Sequence, residues 1–261
     1  MSLEVNKIHK GDTVETMKGI DDKSVQLVFT SPPYLASIRD DNHKYPGAKD
    51  IIKDNQTVEE YIEWSVDIFK QYERLLADDG VVAYNMSYTT FNPMLPYMVI
   101  EEVRKQTGFE IADTCVWKKK NCVPLSGHPN RMTRICEFVY IFAKENRLND
   151  FKANKEVTST SRTGQKYFKI YNNFIETKNN DGKVVGHDAT FSSDLARYFI
   201  DLYSSKGDLV LDNFMGTGTT AVAAIGLDRD FIGIDLIDDY IDVANQRIAK
   251  MKESKAQISL F

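Results

Sequence analysis

The residues with the clearest chemical potential sit in two short turns, one near each end of the chain. Close to the C-terminus, Leu209-Val-Leu-Asp-Asn-Phe-Met-Gly-Thr-Gly-Thr-Thr-Ala221 reads as a buried strand, a tight glycine turn and the start of a helix. A second strand, Phe231-Ile-Gly-Ile-Asp235, then ends in a carboxylate. Gly216 and Gly218 let backbone approach a ligand closely, and an acid at the end of the following strand can accept two ribose hydroxyls. That is the physics of a nucleoside site. The same residues satisfy the dinucleotide pattern Gly-x-Gly-x-x-Gly/Ala, so a nicotinamide-dependent oxidoreductase competes for them. Position weighs against it, because few residues follow Asp235 to build further strands. The N-terminal half must then supply the rest of the sheet, which would be circularly permuted. No Gly-Lys-Ser/Thr follows the glycines, which rules out a phosphate loop.

In the second turn, the strand Val25-Gln-Leu-Val-Phe-Thr30 runs directly into Ser31-Pro-Pro-Tyr34. Pro32 and Pro33 fix an extended turn and remove two N–H donors. What remains is rich in acceptors: the carbonyls around Ser31 and Pro32, and the Ser31 hydroxyl. An exocyclic base amine needs such a place, because its lone pair is delocalised into the ring and it is a poor nucleophile. Acceptors that bind its N–H groups pull the nitrogen toward tetrahedral geometry and aim the lone pair at a methyl donor. Positioning and electrostatics then supply the catalysis, with no covalent intermediate and no metal. Tyr34 offers an aromatic face for a flipped base. Taken alone, the tetrapeptide fits a rigid strand-ending turn with a packed tyrosine better.

These turns need elements to hold them. Short apolar runs alternate with longer helical patterns, which predicts an α/β domain with a mainly parallel sheet and helices on both faces. The predicted strands are Val25–Thr30, Val81–Met86, Ile111–Trp117, Phe138–Ala143, Leu209–Asp212 and Phe231–Asp235. Between the first two lies a helix, signalled by the capping-box spacing of Thr57 and Glu60. Val58, Tyr61, Ile62, Ser65, Ile68, Phe69, Tyr72 and Leu76 recur along it at helical period. Asp78-Asp79-Gly80 is expected to end it. The polar stretch Leu35–Gln56 reads as a long loop over a site, and Asn146–Gly186 as an insertion or irregular module.

Bulk properties agree with one catalytic domain. At 261 residues, 42% hydrophobic and 27% charged, the chain matches a soluble globular protein. No apolar run approaches the roughly 20 residues that span a bilayer. The opening residues lack a basic stretch followed by an apolar one, so a cytoplasmic location is expected. Cys115, Cys122 and Cys136 form no Cys-x-x-Cys pair and are expected to be reduced thiols. The net charge of −5 is unevenly spread. Residues 113–169 hold 12 Lys and Arg against 5 Asp and Glu, while residues 11–79 hold 8 against 15. A basic middle can track phosphates despite an acidic total, although a solvated charged surface explains it as well.

Together the two turns resemble the β-class amino-methyltransferases of DNA, in which a catalytic tetrapeptide precedes a Phe-x-Gly-x-Gly-Thr-Thr cofactor turn. The likeness covers most of the chain, beginning with Asn6-Lys-Ile-His-Lys-Gly-Asp12 and Asp22–Tyr34. It implies a circularly permuted Rossmann-like methyltransferase fold dependent on S-adenosylmethionine. Ser31, Pro32, Pro33 and Tyr34 would be catalytic. Asp12 would lie near the cofactor's adenine; Phe214, Gly216, Gly218 and Thr219 would line its pocket; Asp235 would bind its ribose. Thr30, Asp212 and Thr220 join that candidate set. His187–Ala196 is similar to a cofactor-wrapping element, but carries Asp188 and Ser192 where prolines are frequent. Trp117–Pro124 and Arg131–Lys144 are similar to a stretch common in the cytosine-N4 branch. Lys118, Lys119, Lys120, Arg131 and Arg134 are therefore candidates for DNA contact, unless an arginine pairs with Glu137.

Ser31 in the first catalytic position favours cytosine N4, with adenine N6 the alternative, because relatives with Asp there usually methylate adenine. Carbon-5 methylation needs a nucleophilic thiol, and no Pro-Cys pair occurs. Residues 146–186 would recognise the target sequence. Expected partners are double-stranded DNA and a cognate restriction endonuclease. The tail Gln257-Ile-Ser-Leu-Phe261 resembles the pentapeptide that binds the bacterial sliding clamp. A methylated structured RNA, or a DNA-binding protein on a decayed scaffold, remain the rival readings.

Overall fold

The computed structural model describes residues 2–35, 56–88, 92–120, 130, 132–180 and 191–258. Ten strands are described: β1 (Lys7–Lys10), β2 (Val25–Thr30), β3 (Leu76–Met86), β4 (Phe109–Lys119), β5 (Cys136–Lys144), β6 (Val157–Thr160), β7 (Lys166–Phe168), β8 (Phe174–Thr177), β9 (Leu209–Asp212) and β10 (Asp230–Asp235). Six helices join them: α1 (Thr13–Met17), α2 (Val58–Leu75), α3 (Leu95–Gln106), α4 (Ser193–Tyr203), α5 (Thr219–Gly226) and α6 (Asp238–Ile258).

Eight of the described strands form one sheet in the order β1-β10-β9-β2-β3-β5-β4-β8, and β6 pairs with β7 in a second. Within the large sheet β5 alone runs against its neighbours. The permutation is visible in this order. N-terminal β1 lies outside C-terminal β10, and β2 lies beside β9. Strands from the first half thus complete a sheet that the second half only begins.

The sheet is a filled layer because alternate residues of each strand feed opposite cores. Leu27, Phe29, Val81, Ala83, Val210 and Phe231 pack under α4, α5 and α6. Val28, Val82, Tyr84, Leu211 and Ile232 pack under α1, α2 and α3. Helix α2 starts as its sequence predicts. Thr57 Oγ1 accepts from the Glu60 N–H at 3.1 Å, and Glu60 Oε2 accepts from the Thr57 N–H at 2.8 Å. Its end differs from expectation. The helix stops at Leu75, Leu76 already pairs with Val25, and Ala77–Gly80 bulge out before Val81 pairs with Leu27. Asp78-Asp79-Gly80 therefore marks a bulge inside β3.

The segment 146–186 is only partly an insertion. Its strand β8 extends the main sheet beside β4. The β6–β7 hairpin leaves from the edge where the parallel strands begin. There the Lys152 N–H donates to the Asp79 carbonyl, and the Asn154 N–H to the Leu202 carbonyl. Most of the predicted loop Leu35–Gln56 lies outside the described residues, as do Cys122, residues 187–190 of the predicted wrapping element and the last three residues of the tail.

Candidate active site

The two turns meet. Strands β2 and β9 run side by side and parallel, with Leu27 opposite Val210 and Val28 opposite Leu211. Their carboxyl ends point the same way, at the place where the strand order reverses direction. In open α/β sheets this is where ligands bind. Contact across the seam is direct: the Thr30 hydroxyl donates to Asp212 Oδ1 at 2.7 Å. Asp212 also accepts from the Thr220 hydroxyl at 2.5 Å and from the Phe214 N–H at 3.1 Å. One buried carboxylate thus ties the end of β2, the glycine turn and the first residues of α5 together.

This assigns three candidate ligand residues a different job. Thr30, Asp212 and Thr220 are 0%, 1% and 0% exposed and spend their polar atoms on one another. They hold the turn rather than reach out of it. Burial raises the Asp212 carboxyl to about 6, with the two hydroxyls and the Phe214 N–H pulling the other way. A second chain of bonds braces the same turn from the other core. The Tyr72 hydroxyl of α2 donates to Asn213 Oδ1 at 2.5 Å, and Asn213 Nδ2 donates to Thr13 Oγ1 at 2.6 Å.

The glycine turn adopts the backbone its residues permit. Gly216 and Gly218 have φ of 52° and 82°, the left-handed region that other residues avoid. A Cβ at Gly218 would also stand 2.8 Å from the Ala244 Cβ, so close packing on α6 demands glycine there. From α6, Arg247 donates to the Thr217 carbonyl at 2.6 Å and reaches the Thr217 and Thr219 hydroxyls at 3.2 Å. Asp235, at the end of β10, accepts from the Gly216 N–H at 2.7 Å and the Ile237 N–H at 2.9 Å. Burial raises its carboxyl above the usual range, although these N–H groups oppose the shift. Asp12 stands on the neighbouring strand end. The Gly11 N–H bonds the Asp235 carbonyl, and the Asp12 side chain caps α1 through the Val14 and Glu15 N–H groups. Phe214 lies against Trp64 of α2, with ring centroids 5.5 Å apart.

Across the seam, Tyr61 of α2 donates to the Pro33 carbonyl at 3.0 Å and steadies the proline turn. The half-buried Tyr34 hydroxyl donates to Glu137 Oε2 at 3.2 Å. Burial, and then the negative charge of Glu137, push this phenol well above its ordinary range, so it stays protonated. Asn85 of β3 directs its Nδ2 to the same Glu137 oxygen at 3.3 Å and to the Ser31 hydroxyl at 3.5 Å.

The basic candidates are arranged otherwise than as a row of phosphate contacts. Lys118 pairs with Glu176 across β4 and β8 at 3.0 Å. Lys119 pairs with Glu137 and lies 4.8 Å from the Trp117 ring centroid. Lys120 is exposed, and its N–H donates to the Thr177 carbonyl. Arg134 is exposed, bonds the Tyr88 carbonyl and stacks 5.5 Å from the Tyr88 ring. The described ion-pair partner of Glu137 is thus a lysine, not Arg134; Arg131 lies outside the described residues.

A family model described as DNA methylase, covering amino-methyltransferases of the N6 and N4 type, matches residues 25–246. The chain belongs to this family. The match spans both turns and overturns the oxidoreductase reading of the glycines. Relatives extend it over nearly the whole chain. The Type II methyltransferase M.SmaI of Serratia marcescens is 30% identical over 283 residues, covering 96% of this chain and 93% of that protein. M.HinfI of Haemophilus influenzae is 28% identical over 279 residues, covering 98% and 72%. Among solved structures, the cytosine-N4-specific PvuII DNA methyltransferase shares the fold with a TM-score of 0.71 at 20% identity, over 97% of this chain and 92% of that one. A complex of M1.HpyAVI with SAM shares it with a TM-score of 0.59 at 24% identity, over 92% and 98%. This DNA methylase is an S-adenosylmethionine-dependent enzyme acting on an exocyclic base amine, cytosine N4 or adenine N6.

The residues present suit that cofactor. A turn whose two glycines take left-handed backbone offers bare peptide, and the carboxylates of Asp12 and Asp235 flank it on adjacent strand ends. A cationic sulfonium with a ribose is complementary to such an edge. Asn85, Glu137, Trp64 and Arg247 were not among the residues predicted to act here. One signal existed for Asn85: it is the lone amide in the apolar run Val81–Met86 and is 1% exposed.

Proposed function

We propose that this DNA methylase transfers the methyl group of S-adenosylmethionine to N4 of cytosine in double-stranded DNA. The observation that carries the proposal is the Thr30–Asp212 bond, which sets the Ser31 turn beside the glycine turn at one edge of the sheet. Bound S-adenosylmethionine supplies an electrophilic methyl on a positively charged sulfur. Gly216, Gly218, Thr219 and Phe214 would form the wall that holds it, Asp235 would accept from its ribose hydroxyls, and Asp12 would lie near its adenine.

On the other side of the seam, the Ser31 hydroxyl and the carbonyls of the proline turn accept the amine hydrogens of a flipped base. Those bonds would aim the nitrogen lone pair at the methyl carbon and stabilise the positive charge that develops; the sulfur–methyl bond breaks as the nitrogen–methyl bond forms, S-adenosylhomocysteine is released, and the amine gives up one proton past the accepting oxygens to water. Tyr34 stacks on the base. Its hydroxyl is tied to Glu137, so the ring has a defined orientation before the base arrives. A neutral hydroxyl in the first catalytic position, and the likeness of 117–144 to the cytosine-N4 branch, favour cytosine over adenine. Lys120, Arg131 and Arg134 serve the DNA backbone. Target recognition falls to residues 146–186, whose strand β8 ends at Thr177, where the Thr177 hydroxyl accepts from the Trp117 indole at 2.8 Å. The enzyme works in the cytoplasm beside a cognate restriction endonuclease, and its tail 257–261 docks on the sliding clamp.

Expression in a bacterium without DNA methylation, followed by nucleoside mass spectrometry, tests the choice of base. N4-methylcytosine is expected. N6-methyladenine would overturn the assignment to cytosine while leaving methyl transfer intact, and unmodified DNA would overturn both.

A further inference from the structure

Four strands deliver one polar group each to a point behind the catalytic turn. Tyr34 follows β2, Asn85 lies on β3, Lys119 ends β4 and Glu137 begins β5. Glu137 is the common partner. Its Oε1 meets the Lys119 ammonium, while its Oε2 accepts from the Tyr34 hydroxyl and from Asn85 Nδ2. The side chains of Lys119 and Glu137 are 19% and 18% exposed. A charged pair so placed gains little stability over apolar residues of the same size, which directs attention to what it orients.

A carboxylate only accepts hydrogen bonds. Glu137 therefore fixes two choices that packing alone leaves open. The Tyr34 hydroxyl must donate toward it, which sets the ring that would stack on a base. The Asn85 amide must turn its nitrogen toward it, which places that nitrogen by the Ser31 hydroxyl. The consequence is visible at the other end of the amide: Asn85 Oδ1 is buried with no partner among the described residues. The amide is thus held in the orientation that Glu137 dictates, at the expense of its own oxygen.

We propose that Glu137 is the positioning residue of the methyl-transfer site, setting Tyr34 and Ser31 relative to one another, and that Lys119 holds its carboxylate in place. The inference rests on the methyltransferase reading of the Ser31–Tyr34 turn. Lys119 then acts through Glu137 and not as a phosphate contact.

Glu137→Gln preserves shape but makes the side chain both donor and acceptor. Single-turnover transfer of tritiated methyl to duplex DNA, with DNA and cofactor saturating, should fall about tenfold or more. Affinity for S-adenosylhomocysteine and for DNA should stay within about twofold, and in a Tyr34→Phe background the same substitution should cost about threefold or less. Lys119→Met should lower the same rate, and Lys119→Arg should restore most of it. An unchanged rate in Glu137→Gln would overturn the proposal. So would a loss undiminished by Tyr34→Phe, or one that tracks melting temperature or cofactor affinity. A Lys119→Met enzyme with weakened, salt-sensitive DNA binding but a normal rate at saturation would return Lys119 to the phosphate role and overturn its part. Absence of transfer by the unaltered enzyme would instead sink the methyltransferase reading, and this inference with it.

Discussion

Replacing Asp212 by Asn probes the seam between the two turns through its pH dependence. Asp212 is 1% exposed, and folding raises its carboxyl from 3.8 to about 6, chiefly by burial. A carboxyl raised on folding holds its proton more tightly in the native state. Below the unfolded value both states are protonated, and the group contributes nothing. As pH climbs from there toward about 6 the unfolded chain ionises first, so stability falls; above that the cost is complete and constant. About two units at about 1.4 kcal/mol each amount to about 3 kcal/mol, of which about 2 kcal/mol accrues between about pH 4.5 and 7.5. Asparagine keeps an oxygen for the Thr30 hydroxyl and the Phe214 N–H, and the Thr220 hydroxyl can rotate to accept from its nitrogen. The variant's unfolding free energy relative to the parent, from urea titrations followed by tryptophan fluorescence, should therefore rise by about 2 kcal/mol across that window. Other titrating groups are common to both proteins and cancel. A flat difference would refute the buried carboxylate described here. A difference that falls with pH would mean that its hydrogen bonds outweigh burial.

Further substitutions test the remaining supports of the site. Gly218→Ala places a Cβ 2.8 Å from the Ala244 Cβ at a φ of 82°; a loss of about 1–3 kcal/mol in urea unfolding is expected, together with weaker S-adenosylhomocysteine binding. Arg247→Met removes the clamp on Thr217 and should weaken S-adenosylhomocysteine binding about tenfold by calorimetry, with DNA affinity unchanged. Thr57→Ala abolishes the capping box of α2 and should cost about 1 kcal/mol of stability while leaving the methyl-transfer rate alone. Deleting residues 257–261 should abolish capture by an immobilised sliding clamp and leave activity on short duplexes intact; persistent capture would remove the tail from that role.

Strands β2 and β9 were legible to the residue, because each is a short apolar run bounded by turn residues. The N-terminus of α2 was legible because Thr57 and Glu60 are both local to the cap they form. Strand β1 was not: Lys7-Ile-His-Lys10 buries only Ile8 and carries no apolar run, since it is an edge strand with one side chain in the core. Strand β8 escaped for the same reason, with Ile175 its one buried residue. The end of α2 was misplaced because a bulge and a helix stop share the same residues, and only pairing with β2 separates them. Spacing placed Asp212 and Thr220 beside the glycine turn, but burial decides whether a polar atom faces a ligand or another side chain, and these two and Thr30 face one another. Glu137 and Lys119 could not be joined from the sequence, because antiparallel β4 and β5 bring them together across residues 120–135.

The shortest pairing among the parallel strands is where the two turns meet. Strands β2 and β9 share two residue pairs, whereas β2 and β3 share five, and β1 and β10 share four. Neighbouring strands that part early leave room between their carboxyl ends, the place where open α/β sheets bind ligands. The same opening removes backbone bonds that would otherwise fasten the N-terminal half to the C-terminal half. Side chains replace them: Thr30 to Asp212 on the strand ends, and Tyr72 through Asn213 to Thr13 from the helical layer. Each of those bonds joins residues at least 141 positions apart in sequence. The permuted order therefore has a physical consequence. The proline turn and the glycine turn belong to different halves of the chain, and buried polar contacts hold them side by side.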